Sequence, residues 1–304
     1  MNNPTVTEVI AAFRRDRITM AYRAQQMADA LPGMRELMAR KKKLLQKILA
    51  VSPDDADGVS FLDEIKEIGR LETEITSGLS SGQGCDTCEN TGFVDGRFCS
   101  CLRDKIYTQA YGAMDIASLP ESFDSSDRSK FSDAFICQNG ATQRKKYIAL
   151  ENFAKKFAQD FPDTQTVNLL FTGNTGLGKT FILRSVAKYV HQKGGDVMLI
   201  SASSLFCDFH QHRLGNDVNL DILYNCDLLI IDDLGVEPFT QNVTVEYFLE
   251  LLGIRMDKKK HTVIATNLSA DNIKAKYGER VYSRIRFNDM CSQLVFEGTD
   301  IRVK

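Results

Sequence analysis

The chain lacks any long apolar run: nowhere do the roughly 18 consecutive apolar residues occur that a membrane-spanning helix needs. The N-terminal stretch carries Glu8 and the charged run Arg14–Arg17, and it has no apolar core of the kind found in secretion signals. We therefore expect a cytoplasmic protein. Cysteines stay reduced in that compartment, so closely spaced cysteines in this chain indicate metal binding rather than disulfides.

The chain also lacks a strong net charge of either sign. It has 38 Lys and Arg against 40 Asp and Glu, a formal net charge of -2, so its bulk charge gives no indication of nucleic-acid binding. Two basic runs, Arg40–Lys43 and Lys258–Lys260, could contact phosphates locally, although such runs more often form a solvated helix face. The 43% hydrophobic fraction is that of an ordinary globular protein, which excludes a disordered or fibrous chain.

The sequence pattern predicts four regions. Residues 1–80 repeat apolar residues at three- and four-residue spacing with charges between them, which predicts an amphipathic helical region. A cysteine-rich segment at 81–104 and a polar, weakly patterned connector at 105–146 follow. From 147 to 304, short apolar runs alternate with helical patterns, which predicts an α/β domain with a parallel sheet covered by helices on both faces. The predicted strands are Val167–Phe171, Val197–Ser201, Leu228–Ile231 and Thr262–Thr266, with helices at Phe181–Gln192, Ser203–Leu214 and Thr244–Arg255.

The first predicted strand of this domain runs into a glycine-rich turn that a helix follows. The turn fits the phosphate-binding pattern GxxxxGK[ST] and consists of Gly173, Asn174, Thr175, Gly176, Leu177, Gly178, Lys179 and Thr180. Glycines let the backbone point its N–H groups at phosphates, and the positive end of the following helix faces the same anion. Lys179 is suited to neutralising the β- and γ-phosphates, and the hydroxyl of Thr180 to holding Mg²⁺. We predict an ATP and Mg²⁺ site here, against the alternative of a turn without a ligand.

Polar side chains also end two later predicted strands. Asp232 and Asp233 follow the apolar run Leu228–Ile231, at the carboxyl end of a strand, where ligands bind in open α/β sheets. We predict that Asp232 holds Mg²⁺, directly or through water, and that Asp233 orients and deprotonates the attacking water. Asn267 follows the run Val263–Thr266 and is predicted to contact the γ-phosphate or that water. In each case the alternative is an ordinary polar turn.

Three arginines late in the sequence are candidates for contact with phosphate charge. Arg280 and Arg284 lie four residues apart and so share one helix face. An arginine in such a position can stabilise γ-phosphate charge, often in a neighbouring subunit. Arg302 is a weaker candidate of the same kind, and a surface salt-bridge pair is the ordinary alternative for the helical arginines.

Four cysteines form two close pairs, Cys85 with Cys88 and Cys99 with Cys101. Four thiolates can close a tetrahedral Zn²⁺ site, and the dipeptide Asp95–Gly96 between the pairs favours a β-hairpin that brings them together. The second pair has one spacer residue rather than the usual two. Because protein would fill all four positions, we predict a structural zinc site, against the alternative of free thiols. The other cysteines are predicted to be ordinary small apolar residues: Cys137, Cys207, Cys226 and Cys291.

The region from roughly Leu119 to Arg302 resembles the AAA+ ATPases of the DnaC/DnaI helicase-loader and IstB transposition-helper group. The resemblance lies in the motifs GNTGLGKT, LLIIDDLGVE, VIATN and GERVYSRI, in that order. It implies a P-loop AAA+ three-layer α/β/α domain at 147–304 with ATP and Mg²⁺ as cofactors. The stretch CDTCENTGFVDGRFCSCL resembles the cysteine segment ahead of the ATPase in loader-type members.

The resemblance also implies roles for single residues. Walker A is matched at Lys179 and Thr180, Walker B at Asp232 and Asp233, sensor 1 at Asn267, the arginine finger at Arg284 and a late sensor arginine at Arg302. Many AAA+ enzymes have Asp-Glu where this chain has Asp-Asp, and the shorter second carboxylate implies slow intrinsic hydrolysis.

As a whole, the resemblance implies an ATPase that loads the replicative DNA helicase during initiation of replication. The partners would be the hexameric helicase, gripped by residues 1–80 and the zinc segment, together with single-stranded DNA and further copies of the ATPase domain; no membrane is involved. Two alternatives stay open. A transposition helper would assemble on duplex DNA without a helicase, and an adaptor would bind ATP without turnover.

Overall fold

The computed structural model describes residues 3–29, 36–37, 39–40, 43, 66–68, 70, 85–89, 91–237, 244–286 and 290–302. The chain divides into two compact units, one made of Met1–Val9 and Arg103–Lys304 and the other of Ile10–Leu102. Most of the helical region predicted after residue 29, the first residues of the predicted cysteine-rich segment and the middle of the basic run Arg40–Lys43 lie outside the described residues. In the part of the chain that is described, no helix combines the length and apolar character that a bilayer crossing requires.

The larger unit is built around a parallel sheet, and the smaller one contains a short hairpin. In chain order the elements are α1 (Val6–Asp29), β1 (Phe93–Val94), β2 (Arg97–Phe98), α2 (Ser100–Ala110), two 3-10 turns (Phe123–Ser125 and Arg128–Lys130), α3 (Gln143–Asp160), β3 (Asn168–Thr172), α4 (Lys179–Gln192), β4 (Val197–Ser201), α5 (Ala202–Arg213), α6 (Asp221–Asn225), β5 (Leu228–Leu234), α7 (Thr244–Asp257), β6 (His261–Thr266), α8 (Ala270–Tyr277), α9 (Glu279–Ile285) and β7 (Cys291–Val295).

Five strands of the larger unit form one sheet in the order β4-β5-β6-β3-β7, and every neighbouring pair is parallel. The helices that lie between these strands in the sequence pack on the sheet. Parallel strands require such connections, because the chain must return to the end of the sheet where the previous strand began. This is the predicted P-loop α/β architecture of the AAA+ class.

All four predicted strands are present, and each end lies no more than three residues from its predicted position. Their continuous apolar runs are buried because helices cover the sheet on both faces. The sequence pattern does not predict β7, whose one strand partner among the described residues is β3 at the edge of the sheet. In β7 only Leu294 is buried. The strand therefore lacks the continuous apolar run by which a central strand is recognised in a sequence.

The stretch predicted as a connector packs against the sheet domain. Ile116, Leu119, Phe123 and Phe131 are buried in the same core as the strand residue Phe171. Ile116, Leu119 and Phe123 recur at three- and four-residue spacing, but Pro120 interrupts this run and mostly polar residues surround it, so the pattern gives no clear sign of their burial. Burial of several large side chains here implies that the stretch contributes to the stability of the domain.

The start of α1 confirms the helical prediction for the beginning of the chain. The N–H of Thr5 donates to the Glu8 carboxylate at 2.8 Å, and the N–H of Glu8 donates to the Thr5 hydroxyl at 3.2 Å. This reciprocal pair is a capping box, which satisfies two N–H groups that the first helical turn leaves unpaired.

The strand register determines where the candidate site lies. Thr172 at the end of β3 pairs with Thr266 at the end of β6, and Thr266 also pairs with Leu234 at the end of β5. The residues that follow or end these three strands therefore meet at one edge of the sheet. The register of β5 shifts between Ile231 and Leu234, where Asp233 has a left-handed φ of 55°.

Candidate nucleotide site and cysteine cluster

The glycine-rich turn between β3 and α4 adopts a backbone that larger residues disfavour. Gly173, Gly176 and Gly178 have φ values of 139°, 71° and 86°. A side chain on Gly173 would collide with the backbone of Phe296, and one on Gly178 would collide with the ring of Tyr147. Helix α4 begins directly after the turn, so the unpaired N–H groups and positive end of its first turn lie at the glycine-rich loop.

Lys179 is buried and held by neutral oxygen atoms. Its Nζ donates to the carbonyls of Gly173 at 2.7 Å and Asn174 at 2.6 Å and to Oδ1 of Asn267 at 2.7 Å. Burial lowers the pKa of Lys179, and the carboxylates of Asp233 and Asp232 oppose that effect. Because its hydrogen-bond partners carry no charge, the ammonium group remains available to neutralise a phosphate.

The acid at the end of β5 lies against the helix that begins at the P-loop. The hydroxyl of Thr180 donates to Oδ1 of Asp232 at 3.4 Å, and the N–H of Asp233 donates to the same oxygen at 3.0 Å. Burial raises the pKa of Asp232, and the neighbouring charge of Asp233 adds to this. A divalent cation beside a hydroxyl and a carboxylate would favour the ionised acid, so this pair fits Mg²⁺.

Asp233 is exposed beside the buried Asp232. The left-handed backbone of Asp233 turns the chain out of the strand, at the irregularity in β5. The first acid thus lies buried beside the Thr180 hydroxyl, and the second faces solvent. The structure brings Lys179, Thr180, Asp232 and Asn267 together with this acid, and their individual roles stay predictions.

The arginine pair on α9 lies on a different element from the P-loop. The Nη1 of Arg284 donates to the carbonyl of Leu249 on α7 at 3.0 Å and lies so close to Gly253 that a side chain there would collide with it. Arg280 is exposed, and both arginines line an open cleft with Glu279 and Ser283. Action of Arg284 on a neighbouring subunit therefore stays a prediction.

The segment after β7 crosses the glycine-rich turn, a contact that the sequence pattern does not predict. The N–H of Ile301 donates to the carbonyl of Gly176 at 2.9 Å, and a side chain on Gly176 would collide with the carboxylate of Asp300. Arg302 donates through its N–H to Asp300 at 2.8 Å, and its positive charge contributes to the lowered pKa of Lys179. The predicted late arginine therefore lies near the P-loop lysine.

A second missed feature fixes the loop after β5. Glu237 is buried and accepts from the N–H of Gly235 at 2.8 Å and from the hydroxyl of Tyr277. The Nζ of Lys276 lies 2.9 Å from its carboxylate and also donates to the carbonyl of Gly235 at 2.7 Å. These bonds connect the loop that carries the acids to α8. A single acid in a loop gives no periodic signal, so only the motif LGVE could have drawn attention to it.

The basic run Lys258–Lys260 is largely engaged within the chain. The Nζ of Lys258 donates to Asn225 at 2.7 Å and that of Lys260 to Asp227 at 2.6 Å. These bonds favour the ordinary interpretation of the run as a structured, solvated turn after α7.

In the smaller unit the four predicted cysteines converge. Their sulfur atoms all lie within 4.8 Å of one another, with 3.7 Å between Cys85 and Cys99 and 3.5 Å between Cys88 and Cys101. Four sulfurs at the usual Zn–S distance of about 2.3 Å from a tetrahedral zinc lie about 3.8 Å apart, so the cluster fits that ion. The N–H of Gly92 donates to the sulfur of Cys88 at 3.3 Å, a bond that stabilises a thiolate.

The predicted hairpin is present between the two pairs. Strands β1 and β2 are antiparallel, with Phe93 opposite Phe98 and Val94 opposite Arg97. The connecting Asp95–Gly96 has φ values of 49° and 74°, as a two-residue hairpin turn of the primed type requires. A hydrogen bond with the backbone of Cys88 lowers the pKa of Cys85 to about 7, whereas burial raises that of Cys101.

The comparisons with known proteins agree with this geometry. Residues 143–295 match the family model described as IstB-like ATP binding protein. The chromosomal replication initiator protein DnaA of Wolinella succinogenes is 31% identical over 160 residues, which are 51% of this chain and 34% of that protein. DnaA of Helicobacter pylori strain J99 is 30% identical over 139 residues, 44% of this chain and 29% of that protein. The chain thus spans about a third of the length of these curated relatives.

Solved structures align over a larger share of their own length. The crystal structure of DnaI has 23% sequence identity and a TM-score of 0.47, and the alignment covers 62% of this chain and 94% of that one. The crystal structure of the DnaC helicase loader has 21% identity and a TM-score of 0.44, with 58% of this chain and 98% of that one covered.

Proposed function

Because the chain belongs to the family of IstB-like ATP-binding proteins, we propose that it is an AAA+ ATPase that loads the replicative DNA helicase. The observation that carries the ATPase is the meeting of Lys179, Thr180, Asp232, Asp233 and Asn267 at one edge of the sheet. The substrate is ATP, whose phosphates fit the glycine-rich turn and the N-terminus of α4. The replication setting is supported by the DnaA relatives, which are chromosomal replication initiators.

Each residue of the site performs a separate part of the reaction. Lys179 neutralises phosphate charge, and its bond to Asn267 places the sensor amide beside the same phosphates. Thr180 and Asp232 would hold Mg²⁺, which would supply positive charge that neutralises the phosphate oxygens. Asp233, the exposed acid, orients the attacking water and accepts its proton. Hydrolysis removes the γ-phosphate contacts and so releases one arrangement of the loops, which makes the site a switch.

The loader is favoured over the transposition helper by the cysteine segment of the smaller unit. Its sequence resembles the segment that precedes the ATPase in loader-type proteins, and its four sulfurs fit a structural Zn²⁺. The metal would link the two cysteine pairs on either side of the hairpin, and it would take no part in ATP hydrolysis. Residues 1–80 and this segment would contact the helicase, while the ATPase domain contacts single-stranded DNA and further copies of itself. The family model itself favours the second candidate, a transposition helper that assembles on duplex DNA.

The role of Asp233 predicts that Asp233→Asn keeps ATP binding and lowers turnover by roughly 10²- to 10⁴-fold, the usual contribution of a general base. Asparagine tolerates the left-handed φ of 55° at this position, so the variant should fold normally. Asp257→Asn makes the same chemical change at an exposed position at the end of α7 and should leave turnover unchanged. Equal turnover in Asp233→Asn and the native protein would show that the base is another group.

The role of Arg284 predicts a loss of turnover that appears only in assembled protein. Arg284→Ala should bind ATP normally and lose about 10³-fold or more in turnover under assembling conditions. Mixing it with Asp233→Asn should restore part of the activity, because the second variant supplies Arg284 to the intact site of the first. Failure of the mixture to recover activity, measured as phosphate release at several mixing ratios, would refute a role across the subunit interface.

The partner is tested by capture from a lysate of the native host with tagged protein and mass spectrometry of the bound proteins. With ATP present, both the native protein and the Asp233→Asn variant, which binds ATP without hydrolysing it efficiently, should recover the replicative helicase. Native protein without nucleotide should recover less. Recovery of a transposase, or of duplex DNA with no helicase, would favour the transposition helper. ATP binding without turnover under every condition would instead establish the adaptor.

A further inference from the structure

A cavity of about 550 Å³ lies in the larger unit, lined by the residues that precede and start α1, the end of α2, one face of α5 and the turn before α6. None of the nucleotide-site residues lines it. Its volume is that of a small-molecule site. The described wall includes three carboxylic acids, Glu8, Asp208 and Asp217, and no Lys, Arg or His side chain.

Asp208 distinguishes this cavity from an ordinary acidic surface. Its side chain belongs to a residue that is only 6% exposed, and its Oδ2 has no hydrogen-bond partner among the described residues. A buried carboxyl oxygen without a partner costs free energy and is rare in folded proteins. Burial alone raises the pKa of Asp208 to about 8, because no cation in the described part of the chain compensates for the lost hydration.

Hydrogen bonds hold parts of the wall around Asp208 in place, and its charged side chains are all acidic. The hydroxyl of Tyr111 donates to the carbonyl of Asn219 at 2.6 Å, which fixes the turn before α6 against the end of α2. Burial, and then the charges of Asp208, Asp217 and Asp221, raise the pKa of this tyrosine, so the field of the acids reaches the phenol. Glu8 at the mouth is held in place by its bond with the N–H of Thr5.

The arrangement does not suit a metal ion. Among the described residues, only the cysteines bring three or more ligand atoms within 4.8 Å of one another, so the acids of this cavity are too far apart to chelate one ion. Separate acids along a polar cavity instead match a ligand whose positive charges are themselves separate. We propose that the cavity binds an organic cation through its ammonium or guanidinium group, with Asp208 as the buried counter-ion and Glu8 and Asp217 at the rim.

Two sources can supply such a group: a free polyamine or a basic side chain of a protein. Calorimetric titration of the full chain at constant ionic strength distinguishes them. Spermidine, putrescine and agmatine serve as free cations, and Nα-acetyl-lysine amide, whose side-chain ammonium is free, serves as the side-chain probe. We expect saturable binding that is weakened about tenfold or more in Asp208→Asn, since a hydrogen bond to a charged group is lost. Asp163→Asn, the same change at an exposed site outside the cavity, should bind as the native protein does.

The control for folding is the stability of the variants. Asp208→Asn removes an unpaired carboxyl group, so its thermal midpoint should equal or exceed that of the native protein, and its ATP binding should be unchanged. The exposed rim variant Asp217→Asn should weaken binding less than Asp208→Asn does. Tighter binding of spermidine identifies a free polyamine, and binding of the lysine probe alone identifies a protein side chain. Absence of saturable binding, equal affinity in Asp208→Asn, or displacement by equimolar Mg²⁺ would overturn the proposal.

Discussion

Lys179→Met should weaken ATP binding so strongly that a concentration just sufficient to saturate the native protein leaves most of the variant unbound. Methionine keeps most of the length of the side chain and removes the charge that the phosphates need. Truncating one partner of a buried charge pair costs about 2–5 kcal/mol, partly because the other charge is left unpaired. Affinity for ATP should therefore fall at least about 30-fold, and turnover, which needs the same charge in the transition state, should fall further.

The hydrogen bonds and burial of Lys179 explain why we expect its substitution to have a large effect on ATP affinity. Within the described part of the chain the ammonium group bonds only neutral oxygens, those of Gly173, Asn174 and Asn267, and burial lowers its pKa. Bound phosphate would stabilise the charged form, so the lysine contributes more with nucleotide than without it. The measurement is titration with a fluorescent ATP analogue, and Lys193→Met, an exposed lysine just after α4, is the matched control. ATP binding of native strength in Lys179→Met would exclude the proposed site.

Cys88→Ser should release zinc and unfold the hairpin of the smaller unit while leaving ATP binding intact. Structural zinc sites contribute about 10–16 kcal/mol of apparent binding free energy in small domains, and two two-residue strands cannot remain folded in water without such support. Cys88 is buried, and its sulfur accepts a hydrogen bond from the N–H of Gly92. Serine at this position therefore removes one zinc ligand and the hydrogen bond to its sulfur. Metal analysis should give one zinc per native chain and none in the variant.

Hydrogen exchange separates a loss of metal from a general loss of structure. The amide of Cys99, which donates to the carbonyl of Gly92 at 2.8 Å, should lose its protection in Cys88→Ser, whereas amides of the five-stranded sheet should keep theirs. Cys207→Ser removes an exposed cysteine outside the cluster and should change neither readout. Protein purified without chelators that contains no zinc, or zinc retained by Cys88→Ser, would refute the metal site.

The parts of this fold that could be predicted are those in which chemistry restricts the residue type. The turn Gly173–Thr180 needs left-handed glycines at particular positions, so its pattern identifies both the loop and the strand and helix on either side. The central strands are buried on both faces, so their sequences are continuously apolar. Asp95–Gly96 matches the one common hairpin turn that needs a left-handed φ at both positions, and the structure has those values.

The parts that could not be predicted depend on contacts between residues distant in the sequence. Strand β7 has one neighbour and a mostly half-exposed pattern, so its identity follows from pairing with β3 and not from its own residues. The burial of Phe123 and Phe131 depends on the core formed by α3, α4 and the sheet. Asp300 lies on Gly176, and Asp208 faces a cavity that four separate elements create; no local pattern links either residue to its surroundings.

Closed circular single-stranded DNA provides a direct test of the proposal that ATP bound at Lys179 drives loading of a ring-shaped helicase. A closed circle has no end, so a ring can encircle it only after opening. Purified replicative helicase of the same organism should become stably bound to the circle when the native protein and ATP are present. Neither Lys179→Met nor native protein without nucleotide should support this binding. Loading of equal extent with Lys179→Met, or no loading with the native protein and ATP, would contradict the claim.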